Sequence, residues 1–458
     1  MTTGNPSDLQ LILSLVIGVA LLIFLILKTK IHTFLAIMIA AVVVGVIAGM
    51  QPSAVVESIQ GGFGGTLGGI GIIIGFGVML GQVFEISGAA ERMARTFLKM
   101  FGKGREGIAM ALTGFIVSMP VFVDSAFIML FSMVKAVSSK SKKSIIALAV
   151  PLAGGAVITH SLVPPTPGPL GVAGTFGVDV GQFFLLSIVI AIPMAIGTTL
   201  YGTYIGRKIY QIPTEDGEGW LRPDKILPGV DLTKDEETGE LPSAFLAFLP
   251  ILATIFLILI NTTLGMLGLT EGIFTVIRFI GTPMIALGIG LIIAIYTLAR
   301  KVGRDNLLAD MEKGIKSAGV IILVTGAGGA LGRVLDTSGV GLHIAEQITA
   351  TAIPVILLPF LVATIIRFAQ GSGTVAMITS ASITAPIVIA AGGNPLLGAF
   401  AACVGSLFFS YFNDSLFWVV NRLCGIENVK EQMRTWSITT TIAWGIGLVS
   451  ILVLNIFM

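Results

Sequence analysis

The sequence predicts an all-α integral membrane protein made of two inverted repeats, each with five spanning helices and one re-entrant hairpin. Three observations carry that expectation. Of 458 residues 55% are hydrophobic and only 11% charged, where a soluble chain carries about 25% charged residues. The frame LGQVFEISG (Leu80–Gly88) returns as LGRVLDTSG (Leu331–Gly339), identical at LGxVxxxSG. Finally, four apolar segments, two on each side of one polar stretch, are interrupted at mid-length by proline, glycine or polar residues.

In chain order, residues 9–27, 31–50, 66–84, 144–178 and 182–205 form the first set of spans. Residues 243–260, 277–298, 317–335, 396–423 and 435–457 form the second. Each approaches or exceeds the roughly 20 apolar residues that cross a bilayer. Residues 107–137 and 352–390 are apolar but broken midway, and are read as hairpins that enter and leave on one side. Charge tests this count. With the amino terminus outside, every Lys and Arg except Arg278, Arg333 and Arg367 falls on the cytoplasmic side, 24 of 27. Basic residues are retained inside, so treating either hairpin as a full span would spoil the agreement. An even number of spans then leaves both termini outside the cytoplasm of a bacterial inner membrane.

Nothing basic precedes the first apolar run; Asp8 does, and Lys28 and Lys30 follow it. That order marks a retained span rather than a secretory signal. The glycine-rich run Gly61–Gly77 superficially matches a dinucleotide fingerprint but lacks strand context, and reads as small residues that let helices approach in lipid. Residues 211–242 hold nine of the 25 carboxylates and read as a solvated cytoplasmic linker, a plain connector rather than a partner-binding segment. It divides the chain into a first repeat, 1–210, and a second, 243–458. Five spans per half forces the halves upside down relative to each other, and inverted repeats with interrupted helices mark secondary transporters.

Backbone unwound in hydrocarbon costs several kcal/mol per unpaired group unless it lines a cavity, so the four breaks are expected to meet. In SMPVFVDSAF, Pro120 ends one half-helix and Asp124-Ser125 opens the next. Capping alone would explain Asp124, but a carboxylate at this depth points to an ion or proton. In THSLVPPTPGP, Pro164, Pro165, Pro167 and Pro169 stiffen the chain beside His160, Ser161 and Thr166; a histidine here is either simply hydrogen-bonded or functional. In TIIRFAQGSGTVAM, Arg367 is the only basic residue expected at depth, before the donor-rich tip Gln370, Ser372 and Thr374. Arginine grips carboxylates through paired bonds and helix amino termini attract anions. The alternative is a standing pair between Arg367 and Asp414. In LFFSYFNDSLFWVV, Asn413, Asp414 and Ser415 interrupt aromatic sequence. Glu85 and Asp336 of the duplicated frame read as helix-end residues.

No HExxH, GxSxG or CxxC is present, and Cys403 and Cys424 offer no disulfide framework. An enzyme is therefore disfavoured, and no cofactor, metal or nucleic acid is expected. Transport rivals remain sodium coupling, sodium/proton exchange and a channel.

PVFVDSAF, PLAGGAVITHSLVPPTPGP, RFAQGSGTVA and FNDSLFWVV, in that order along essentially the whole chain, resemble motifs of the gluconate permease family within the ion transporter superfamily. The resemblance implies proton-driven import of gluconate, a related sugar acid or D-serine, opposed hairpins, elevator-like movement and often a homodimer. One departure is Thr166, where the family carries histidine. The expectation is a symporter for a small hydroxylated carboxylate. Arg367 would hold the carboxylate; Ser125, His160, Ser161, Thr166, Gln370, Ser372, Thr374, Asn413 and Ser415 would contact the rest. Asp124 or Asp414 would carry the proton.

Overall fold

The computed structural model describes residues 6–29, 31–101, 104–214, 219–227, 241–349, 354–411 and 413–458. Helices α1 (Asp8–Leu27) and α2 (Thr33–Ile47) lead into the long α3 (Pro52–Ile86) and the short α4 (Ala89–Phe101). The pair α5 (Glu106–Val117) and α6 (Val123–Ser141) follows, then α7 (Ile145–Leu162), α8 (Pro167–Phe176) and α9 (Val180–Lys208). Strands β1 (Ile212–Pro213) and β2 (Trp220–Leu221) pair antiparallel between the halves. The second half runs α10 (Ala244–Met266), α11 (Ile273–Ile280), α12 (Pro283–Thr297), α13 (Arg304–Thr337) and α14 (Val340–Thr349). It continues with α15 (Leu357–Gln370), α16 (Gly373–Ala390), α17 (Pro395–Gly405), α18 (Ser415–Leu423) and α19 (Val429–Gln432). A π-helical turn, Met433–Ser437, joins α19 to α20 (Ile438–Phe457).

The order recurs. In each half a long helix ends on the duplicated frame, and a short helix, a helix pair, a broken helix and a long final helix follow it. The two long helices, α3 and α13, pack against each other along their length. At 35 and 34 residues they are about 50 Å long at 1.5 Å per residue, well beyond the spans expected at 66–84 and 317–335. Glycine and charge hid their true extent. α3 bends by 44° between Gly69 and Gly71.

Close approach, the role expected of the glycine run, holds on one face only. A Cβ on Gly62 would sit 2.3 Å from the Gly329 carbonyl of α13, and one on Gly81 would strike the Pro120 carbonyl at 2.0 Å, whereas Gly61, Gly64, Gly65, Gly68 and Gly69 meet nothing within 4 Å. Gly62 thus seats α3 on α13, and Gly81 seats it on the first break.

Among the described residues seven helices are long and apolar enough to cross a membrane, or up to nine if each bent pair counts as one span. The expected ten included residues 31–50 and 396–423, but α2 has 15 residues and α17 only 11, too short alone for a core of about 30 Å. α16, expected as one arm of a hairpin, is by itself long and apolar enough to cross a membrane. The paired helices of both expected hairpins are present, with α15 beginning after residues 352–353, which lie outside the described set.

The polar stretch between the halves is folded where it is described, not simply solvated. Gln211 donates through Nε2 to the Cys424 carbonyl at 2.5 Å, and Arg222 donates to both oxygens of Glu431 at 3.0 and 2.8 Å. Arg222 also reaches the Gln211 side chain at 2.7 Å, and Lys135 lies 5.3 Å from the Trp220 ring centroid. These bonds clasp the end of the first half to the α18–α19 corner of the second.

Candidate functional site

Breaks place helix ends in the interior, and each break has a local cause. Pro120 stands between α5 and α6, and Pro164 and Pro165 stand between α7 and α8, where neither residue can donate a backbone bond. Thr166 precedes Pro167 in the first turn of α8, a position that tolerates proline because its N–H would be unpaired anyway. Gly371 separates α15 from α16 with φ 93°, a left-handed conformation that suits glycine. A Cβ there would also lie 2.2 Å from the Asn413 carbonyl. Between α17 and α18, Phe409 holds φ 33°, strained for a bulky side chain.

Three of these breaks, between α5 and α6, α15 and α16, and α17 and α18, open onto one cavity of about 420 Å³, which the last turn of α7 also reaches. Its walls include the first turns of α6, α16 and α18 and the last turns of α7 and α15, closed on one side by Val320 and Ile321 of α13. Three helix amino termini facing one hollow carry partial positive charge into it.

Arg367 and Asp414 form an ion pair, Nη2 to Oδ2, at 2.6 Å, with side chains 5% and 14% exposed. The standing pair that the sequence left as an alternative is therefore present. Asp414 is heavily engaged: Oδ2 also accepts from the Ser410 hydroxyl, and Oδ1 caps α18 by accepting from the Leu416 amide at 3.2 Å. Asp124 is not. Its Oδ2 accepts from the Ser415 hydroxyl at 3.0 Å, which links α6 to α18, and its Oδ1 is buried without a partner. His160 Nε2 lies 3.5 Å from Thr374 Oγ1, and its Nδ1 is unpaired. Arg367 Nε, Gln370 Oε1 and Asn413 Oδ1 are likewise buried and unpaired. Five cavity residues thus hold unsatisfied polar atoms. Native proteins rarely leave such atoms buried, and here they line one hollow.

Of the residues singled out in the sequence, Asp124, His160, Ser161, Arg367, Gln370, Ser372, Thr374, Asn413, Asp414 and Ser415 all line this cavity. Ser125 and Thr166 do not. Ser125 follows Asp124 in α6, so it points about 100° away around the helix. Thr166 turns its hydroxyl back onto the Val163 carbonyl at 2.6 Å and lines a smaller hollow with Pro165 and Gly77. Ser372 caps α16, accepting from Val375 at 3.3 Å. Glu85 and Asp336 lie at the ends of α3 and α13 and are not among the cavity residues.

Sequence reasoning missed the support behind the site. Trp436 donates from Nε1 to Ser410 Oγ at 2.8 Å, Thr440 accepts from the Ser410 amide at 3.0 Å, and Trp444 donates to Thr364 at 2.9 Å. These three recur every four residues through the π-turn and α20, so a stripe of tryptophan and threonine was their only signal. Tyr411 and Asn413 both donate to the Phe368 carbonyl, at 2.7 and 3.1 Å.

Comparison with known proteins adds three findings. The model of the GntP family permeases matches residues 10–457. An uncharacterized permease of Haemophilus influenzae is 48% identical, covering 97% of this chain and 92% of its own, and a gluconate permease of Pseudomonas aeruginosa is 35% identical, covering 99% of each. The crystal structure of the YdaH transporter of Alcanivorax borkumensis is similar in fold, with TM-score 0.64 over 93% of this chain and 98% of that one, at 14% identity.

Proposed function

The chain belongs to the GntP family of permeases, multi-pass membrane transporters, and from that premise we propose that it imports gluconate or a related small hydroxylated carboxylate together with protons. One observation carries the reading: three breaks, the end of α7, three helix amino termini and one buried arginine share a cavity of about 420 Å³, within the range of small-ligand pockets. The name of the Pseudomonas aeruginosa relative points to the same substrate class.

In this proposal Arg367 offers its unpaired Nε to the substrate carboxylate, assisted by the amides that open α16 and α18. His160, Ser161, Gln370, Thr374 and Asn413 face the same hollow and suit a chain of hydroxyls, each an acceptor and a donor. Asp414 is the standing counterion of Arg367, and three donors already claim its two oxygens. Asp124 is then the carboxylate with room for a proton, since one of its oxygens is buried and bare. Ionised, it would repel the incoming anion and resist crossing; protonated, it would let the loaded site move with less net charge, which is a route to coupling. The recurring element order favours two inverted repeats, with the cavity carried across by an elevator-like displacement and both termini outside the cytoplasm.

Proteoliposomes test this directly. Labelled gluconate should accumulate under an imposed proton gradient and not under sodium alone, with competition from sugar acids but not from uncharged polyols. Asp124→Asn should abolish gradient-driven accumulation while sparing exchange of internal for external substrate. Accumulation driven by sodium alone, or by protons in the Asp124→Asn protein, would overturn the coupling scheme.

A further inference from the structure

We infer that Trp436 and Ser410 are positioning residues for substrate affinity: they hold Asp414 to a one-point contact with Arg367 and so leave Arg367 Nε unclaimed for an anion. The inference rests on the role proposed above for Arg367 and extends it to residues outside the cavity.

Tryptophan Nε1–H can only donate, and here it donates to Ser410 Oγ at 2.8 Å, with Trp436 fully buried and Ser410 1% exposed. That bond occupies an acceptor site of the hydroxyl and aims its proton elsewhere, at Asp414 Oδ2. The chain has one direction: indole N–H to hydroxyl, hydroxyl to carboxylate, carboxylate to guanidinium. Thr440 fixes the backbone of the same residue, accepting from the Ser410 amide at 3.0 Å. Trp436 lies in the π-turn Met433–Ser437, and such insertions are frequent at functional sites because they re-aim the side chains around them.

Arg367 and a carboxylate left to themselves prefer two parallel bonds. Asp414 makes one, through Oδ2 to Nη2, while its Oδ1 is held back on the Leu416 amide and Arg367 Nε remains unpaired. The Ser410 hydroxyl takes up the share of Oδ2 that a second arginine N–H would otherwise claim. Without it, Asp414 is free to settle further onto Arg367 and compete with the substrate's own carboxylate.

Initial-rate uptake of gluconate in proteoliposomes tests the idea, with rates normalised to inserted protein and equilibrium binding measured on the same preparations. Ser410→Ala should raise KM about tenfold, the size expected for one bond to a charged group, with Vmax within about twofold. Ser410→Thr, which keeps the hydroxyl, should stay near the parent. Trp436→Phe, which removes the N–H and keeps an aromatic ring, should raise KM several-fold, and adding it to Ser410→Ala should cost little more because both act through one bond. A purely structural role would lower Vmax and recovery together and would not be rescued by threonine. An unchanged KM in Ser410→Ala overturns the inference, and Trp436→Phe decides it if that variant is not recovered. Gluconate binding that survives Arg367→Met would sink the parent reading and this one together. Binding lost in Arg367→Met but unmoved in Ser410→Ala and Trp436→Phe would sink this one alone.

Discussion

The two broken helices occupy matching places in the two halves, yet they keep their breaks open by different means. Between α7 and α8, residues Val163–Thr166 are shaped by proline rings, and Val163, Pro164 and Thr166 are buried. The Thr166 hydroxyl stays within the break, on Val163. Between α17 and α18, Ser406–Asp414 contains no proline and is held from outside, by Phe368, Trp436, Thr440 and Arg367. Proline stiffness asks for no polar partner, so the first break can rest against apolar neighbours. The second must bring a charge pair and several hydroxyls into a region of low dielectric, where such groups act strongly. The contrast shows two ways to hold a helix open: the first broken helix ends in a stiff wall that brings His160 and Ser161 to the cavity, and the second brings Asn413, Asp414 and Ser415 there on an outside frame.

Removing the charge at the second break should have the largest effect. Arg367→Met strands Asp414, and breaking a buried pair from one side costs about 3–5 kcal/mol. Thermal unfolding of purified protein should show that loss, and uptake should fall more than about a hundredfold. Arg367→Met combined with Asp414→Leu should recover much of the stability and none of the transport. Recovered transport would erase the distinction between the halves.

Next comes Gly371→Ala. Its positive φ alone costs about 1–3 kcal/mol, and the added carbon meets the Asn413 carbonyl at 2.2 Å, so both the melting temperature and substrate affinity should drop. An unaffected melting temperature would show that the hairpin tip is not held as tightly as its contacts imply.

Smallest is Thr166→Ala. It deletes one local hydroxyl bond, worth about 0.5–1.5 kcal/mol, at a position outside the main cavity. KM for gluconate should move less than about twofold. A larger shift would bring the proline break into direct contact with substrate and sharpen the comparison in the opposite sense.

Much of the candidate site was legible because its signals are local. Proline, glycine or aspartate interrupting an apolar run marks a break wherever the helix packs, and ten of the twelve residues chosen that way line one cavity. Ser125 and Thr166 were chosen the same way yet lie outside that cavity, since neighbouring positions on a helix or a turn do not share a heading. Trp436 was invisible because its partner, Ser410, lies 26 residues away and nothing in an apolar helix announces so distant a bond. The extent of α3 and α13 was masked by residues that disfavour helix in isolation: glycine throughout 61–71, and charge throughout 304–316. Packing of one against the other overrides that preference. The clasp formed by Gln211, Trp220 and Arg222 was unreadable for a simpler reason, as polar composition cannot tell a docked hairpin from a wet tether.

Those same two long rods carry a consequence for the lipid. Helices of about 50 Å cross a hydrocarbon slab of about 30 Å only by leaning, bending or emerging at one face, and α3 does bend. Their lean is therefore coupled to acyl-chain length, with each ångström of mismatch costing a fraction of a kcal/mol. Because Val320 and Ile321 of α13 wall the hollow, thinning or thickening the surrounding membrane reaches that hollow through the tilt of its own wall.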